Sequence, residues 1–246
     1  MIVARASLTG CLLVFAASIP AVAGTIIVGT PADSGVGDCI PFGCNGPNDE
    51  YQQVYMNSLF SGPITITGLE FFNTQYNSGA HEESGIDTGT FTISLSTTSA
   101  RWNTLSLTQA NNVGGNNTEV FSGSLVQSWA FGDTLSITFS KPFTYVPGPS
   151  ANLLLDIVVT GLGNSGGPGE IFFDTNGYNN GGDNGNIIFG RDYNGGFFTP
   201  AVNSGFGLVT GFETSSTATP EPATCALFGV GFICLWTARL RANRKT

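Results

Sequence analysis

Cys39 and Cys44 form the clearest candidate for chemistry in this chain. Cys11, Cys225 and Cys234 fall in apolar terminal runs, which leaves one close pair in the central part. In an oxidising compartment such a pair reads as a disulfide. A bridge closing so short a loop contributes roughly 2 kcal/mol in the chain-entropy view. The rival is a metal site, but zinc takes four ligands, and His81 is the one other soft donor nearby in sequence. His81 is also the only histidine, set in Gly79-Ala80-His81-Glu82-Glu83-Ser84-Gly85. Nucleophilic catalysis needs a base beside Ser or Cys; in this polar loop the plainer reading is a solvated histidine.

The acids offer other chemistry. Paired carboxylates hydrolyse glycosides, yet with sixteen acids between residues 24 and 220 some pair lies close by chance. Asp156 alone stands out, because it interrupts the apolar run at residues 153–159. A carboxylate there must be paired, exposed at an edge or bound to a metal, and a place on the solvated face or a hydrogen bond inside is the plainer expectation. Calcium suits loop carboxylates. Asp49, Glu50, Asp174 and Asp183 lie in or beside loops, but no D-x-D-x-D-G loop occurs. No cofactor is expected, and no calcium site is assigned. Trp102, Trp129, Tyr178 and Tyr193 lie outside the clearest strands, as sugar-stacking aromatics or, more simply, as loop anchors.

The elements that must position these residues read as strands. Residues 91–96 (Phe-Thr-Ile-Ser-Leu-Ser) and 135–140 (Leu-Ser-Ile-Thr-Phe-Ser) alternate apolar and polar with period two, which turns one face to a core. Residues 64–67 begin likewise until Gly68 interrupts, a bulge signal. Residues 153–159 are apolar apart from Asp156, as in a central strand covered on both faces. Weaker strand candidates are residues 25–28, 54–60, 119–124, 171–174, 187–191 and 206–213, while residues 52–59 fit a helical turn or a strand. Asn/Gly runs such as Asn179-Asn180-Gly181-Gly182 punctuate the chain. The expected body is an all-β, antiparallel β-sandwich, jelly-roll-like, with Gly/Asn-rich loops. Phe91, Ile93, Leu95, Leu135, Ile137, Phe139, Leu155 and Ile157 should share one core. A β-helix is the runner-up, but no fixed-period repeat occurs.

The two ends read as processing segments. Arg5 precedes an uncharged apolar run at residues 6–17, and Ala21-Val22-Ala23 places small residues where a signal peptidase reads. Residues 1–23 are therefore expected to be a signal helix cleaved between Ala23 and Gly24. Residues 24–213 would be the body, and 214–219 a polar linker. Between Gly24 and Pro220 only Arg101, Lys141 and Arg191 oppose the sixteen acids, a net charge of −13. Such a body repels nucleic acid and anionic lipid.

After the linker come Pro220-Glu221-Pro222, an apolar run at residues 225–238, and a basic end carrying Arg239, Arg241, Arg244 and Lys245. In that order at the C-terminus, they resemble the PEP-CTERM sorting signal, a tail also labelled ice-binding protein C-terminal domain. The resemblance covers residues 220–246. It implies that a membrane-embedded exosortase of a Gram-negative, exopolysaccharide-making bacterium recognises the tail and cuts near Pro220, Glu221 and Pro222. Residues 223–238 would be a transmembrane helix. From residue 222 it reaches about 25 Å, a little short of a ~30 Å hydrocarbon core. Trp236 and the snorkelling basic residues close that gap, and the positive-inside rule puts the basic end in the cytoplasm. The rival is a permanent single-span anchor.

The body is also similar to PEP-CTERM proteins in Phe42-Gly43-Cys44, Tyr51-Gln52-Gln53-Val54-Tyr55, Phe60-Ser61-Gly62-Pro63-Ile64 and Asn152-Leu153-Leu154-Leu155-Asp156. That likeness implies a shared fold and no activity. The expectation is an exported, non-enzymatic surface or extracellular-matrix protein associated with exopolysaccharide. Its precursor would be held in the membrane and its mature form placed at the cell surface or outer envelope. A secreted carbohydrate-active enzyme using a carboxylate pair is the alternative. An ice-binding surface protein is a third reading, which follows from the tail's second label.

Overall fold

Strand follows strand along this chain because its apolar residues recur at every second position, and turn residues separate the runs. The computed structural model describes residues 24–31, 37–44, 49–74, 85–125, 127–161, 171–176, 189–195 and 198–215. The expected signal segment with Ala21 and Ala23, the Pro220-Glu221-Pro222 motif, the 223–238 span and the basic end lie outside these residues, as do His81, Tyr178 and Asp183. Among the described residues no helix is long and apolar enough to cross a membrane.

The body is all-β and antiparallel. A four-stranded sheet has the order β1-β13-β4-β7: β1 is Gly24–Val28, β13 Thr210–Thr214, β4 Ile64–Phe72 and β7 Thr134–Tyr145. A six-stranded sheet has the order β11-β10-β3-β8-β5-β6. Its strands are β11 (Phe198–Ser204), β10 (Phe189–Gly195), β3 (Asp49–Tyr55), β8 (Asn152–Thr160), β5 (Thr90–Thr98) and β6 (Thr118–Gly123). A small third sheet joins β12 (Gly207–Leu208), β9 (Phe173–Asn176) and β2 (Gly37–Asp38).

Register explains which side chains go inward. Opposite Ile157 of β8 stand Tyr51 of β3 and Ile93 of β5, all fully buried. In the four-stranded sheet Leu69 pairs with Phe212 and Ile137, again buried. Side chains of both sheets belong to one apolar cluster. Phe91, Ile93, Leu95, Leu135, Ile137, Leu155 and Ile157 are all in it, while Phe139 packs half-buried at its margin. Phe42 ties the two sheets together, its ring centroid 4.8 Å from Phe71 of one and 5.8 Å from Phe91 of the other. Burying such a ring is worth several kcal/mol.

The interruption at Gly68 is a register shift in the β4–β7 pairing. β8 lies between β3 and β5, as its apolar sequence requires. The candidate at residues 54–60 resolves differently. The strand is β3, earlier in the chain, and a single tight helical turn at Asn57–Leu59 follows it.

Candidate functional site

The pleat that sends Tyr51, Gln53 and Tyr55 inward sends Gln52 and Val54 outward. Inside, the Gln53 amide donates to the carbonyl of Leu208 at 2.9 Å and accepts from its N–H at 2.8 Å. The Tyr51 hydroxyl also donates to it. The Tyr55 hydroxyl meets that of Thr210 at 2.7 Å. Burial pushes both tyrosines well above the ordinary phenol range, so they stay neutral hydrogen-bonding groups.

Outside, the six-stranded sheet is not left bare. The connection from β5 to β6, residues 99–117, folds back across it. Leu105 closes over Val54 and Leu154, with Ala100, Trp102 and Val113 packed alongside. Hydrogen bonds fix this cover. Gln109 donates to the carbonyl of Glu50 at 3.0 Å, and Asn112 donates to the Gln52 side-chain oxygen at 2.9 Å. The Gln52 amide in turn donates to the carbonyl of Gln109 at 3.3 Å. At the far end the Gly114 N–H donates to Ser96 at 3.1 Å, and Asn152 donates to the carbonyl of Ala100 at 2.8 Å.

Asp156 lies in this covered face, opposite Gln52 on one side and Ser94 on the other. It is 8% exposed, and its Oδ1 is buried without a hydrogen-bond partner. Burial raises its pKa, and a hydrogen bond from Gln52 opposes that shift. In register the row continues through Asp192 beyond Gln52 and Glu119 beyond Ser94. The acid singled out by the sequence is thus on an outer face, but under a cover rather than in water.

The four-stranded sheet presents a different arrangement. Glu213 stands opposite Gly68, and Glu70 opposite Gly211. A side chain on Gly68 would run into the Glu213 carboxylate, and one on Gly211 would come within 2.9 Å of the Glu70 carboxylate. The two carboxylates therefore lie along the sheet over glycines, close enough to interact. The Glu70 pKa is raised, first by partial burial and then by repulsion from Glu213. This is the carboxylate pair the fold assembles from residues far apart in sequence. No signal at Glu70 or Glu213 alone foretold it; the glycines opposite them become visible only through the register.

The remaining candidates are distributed as follows. Cys39 and Cys44 are bonded to each other. Asp38 lies close enough to share a metal with them, but the bonded sulfurs supply no thiolate. Asp38 pairs with Arg191, whose guanidinium sits 4.4 Å from the Phe206 ring centroid. Asp174 is fully buried and accepts from the N–H and hydroxyl of Thr74. Asp49 and Glu50 open β3, and Tyr193 pairs with Tyr51 in register. Trp102 is a cover anchor. Trp129 is 3% exposed, its ring 4.7 Å from Phe173, so it is a core residue and offers no sugar-stacking face. No family model matches this chain, and neither a curated protein nor a solved structure does.

Proposed function

We propose that this chain is a non-enzymatic exported protein of the cell surface or extracellular matrix, associated with exopolysaccharide and sorted through its PEP-CTERM-like tail. The observation that carries this is the Cys39–Cys44 disulfide. Such bonds persist in oxidising compartments and are rare in the cytosol. The bridged segment also delivers Phe42 into the core, so the oxidised form belongs to the fold rather than to its surface.

The body in this reading is a jelly-roll β-sandwich, and the strand order supports it. Along the chain β1, β4, β7 and β13 enter one sheet, as β1-β13-β4-β7. β3, β5, β6 and β8 enter the other, as β3-β8-β5-β6, and the β10–β11 hairpin extends that sheet beyond β3. Two interleaved Greek keys produce this order.

The test is expression from the native start in an exosortase-bearing Gram-negative host, followed by intact-mass analysis and glycan binding. The expected product lacks residues 1–23, ends near Glu221, carries the bridged cysteines and retains exopolysaccharide. Free thiols, or a mature product still containing Arg239 to Lys245, would overturn the reading.

A second reading, a secreted carbohydrate-active enzyme, is favoured by the Glu70–Glu213 pair. Release of reducing ends from a polysaccharide panel, abolished by Glu70→Gln and by Glu213→Gln, would establish it.

A further inference from the structure

Asp156 sits in an unusual place for a carboxyl group. It is central in the sheet, nine-tenths buried, and one of its oxygens has no partner. An ionised carboxylate in that position loses its hydration and gains no compensating ion. Among the described residues nothing basic faces it. From β3 come Gln52 and, one pair further along, Glu50; the β10 position in register with Gln52 is Asp192. From β5 comes Ser94, with Glu119 of β6 beyond it. The cover contributes the neutral amides of Gln109 and Asn112, while its own Arg101 is exposed. The other charged residues at the register positions of this row, Asp192 and Glu119, are both acids.

The tie between cover and sheet runs through Gln52. Its amide is held by Gln109 and Asn112 of the cover and also hydrogen-bonds Asp156. Whatever changes the charge on Asp156 acts directly on the residue to which the cover is fastened.

We propose that residues 99–117 are a proton-operated cover: they close over the sheet when the Asp156 carboxyl is protonated and are driven open when it ionises. Opening returns the carboxylate to water and exposes Gln52 and Leu154. The direction follows from linkage. A carboxyl held above its unfolded value stabilises the closed form fully below the ordinary aspartate range, and that contribution is lost as pH rises through the closed-state value. The raised pKa of Asp156 is in accord with this direction.

Hydrogen exchange read by mass spectrometry on the exported, disulfide-bonded protein tests it, from about pH 4 to about pH 8, after correction for intrinsic exchange. Protection of residues 99–117 should fall with rising pH relative to β4 and β8, the open-to-closed ratio growing up to about tenfold per pH unit across the titration. Asp156→Asn should remove that dependence, and Glu213→Gln on the four-stranded sheet should leave it in place. Flat protection in the wild type overturns the proposal. So does an Asp156→Asn protein that keeps the wild-type profile. Should Asp156→Asn fail to fold, the double change Gln109→Ala with Asn112→Ala cuts the tie to Gln52. That protein should exchange rapidly over the cover already at about pH 4; wild-type protection there would equally refute the proposal.

Discussion

The two large sheets turn outer faces of opposite character to their surroundings. Over the six-stranded sheet lies a second layer, made from one connection, with its own apolar seam of Val54, Leu154 and Leu105. The four-stranded sheet keeps its outer residues in solvent: Ile27 is 47% exposed, and Thr134, Ser136 and Thr138 are exposed along β7. Acids occur on both faces, and their circumstances differ. Desolvation dominates at Asp156, whereas Glu70 feels a neighbouring carboxylate in addition to partial burial. Residue type alone does not settle the behaviour of an acid in a strand; what lies over the strand does.

The sharpest way to break this comparison is to truncate the apolar seam. Leu154→Ala should cost about 2–5 kcal/mol, as for any buried leucine, even though Leu154 is on an outer face. Ile27→Ala on the opposite sheet should change stability by no more than about 0.5 kcal/mol. Urea unfolding of both variants checks the pair, and equal losses would mean that the cover protects nothing.

Next in size is Gly114→Ala. A Cβ there would overlap the carbonyl oxygen of Thr97, a backbone atom that cannot step aside. The cover must shift, at about 1–3 kcal/mol, and limited proteolysis should find new cuts within residues 99–117 while β4 and β13 stay intact.

The smallest effect belongs to the bare face. Glu70→Gln removes the repulsion from Glu213 and should stabilise the protein by about 0.2–1 kcal/mol at neutral pH. The sign follows from the raised pKa of Glu70. Its contribution is fully present below the ordinary glutamate range and is lost as pH rises through the folded value. The advantage of the variant should therefore disappear in acid, as thermal unfolding at two pH values would show. Salt should reduce it too, since exposed charges are screened.

Much of the fold was legible in the sequence, for reasons the structure makes plain. β5, β7 and β8 were readable because each has one consistently buried face, and Gly68 because a glycine inside a strand pattern marks a bulge. β11 escaped notice: Phe198–Ser204 contains Pro200 and small polar residues, a composition that only pairing with β10 makes into a strand.

The site was harder to read. Alternation puts Gln53 on the face of Tyr51 and Tyr55, but its polarity alone would put it in water; it is fully buried because its amide satisfies both backbone groups of Leu208. The cover has no periodicity at all. Trp102, Leu105 and Val113 are spaced as a loop, and their common target is Val54 of β3 and Leu154 of β8. The oddity of Asp156 was visible, but its surroundings were not, since Gln52 reaches it from far along the chain and is itself held by Gln109 and Asn112.

Carboxyl labelling with a water-soluble carbodiimide, read residue by residue by mass spectrometry, tests the contrast between the two faces most directly. At a pH below the Asp156 titration, Asp156 should label at least about tenfold more slowly than Glu213, because the covered form predominates there. Equal labelling of Asp156 and Glu213 at that pH would contradict the account.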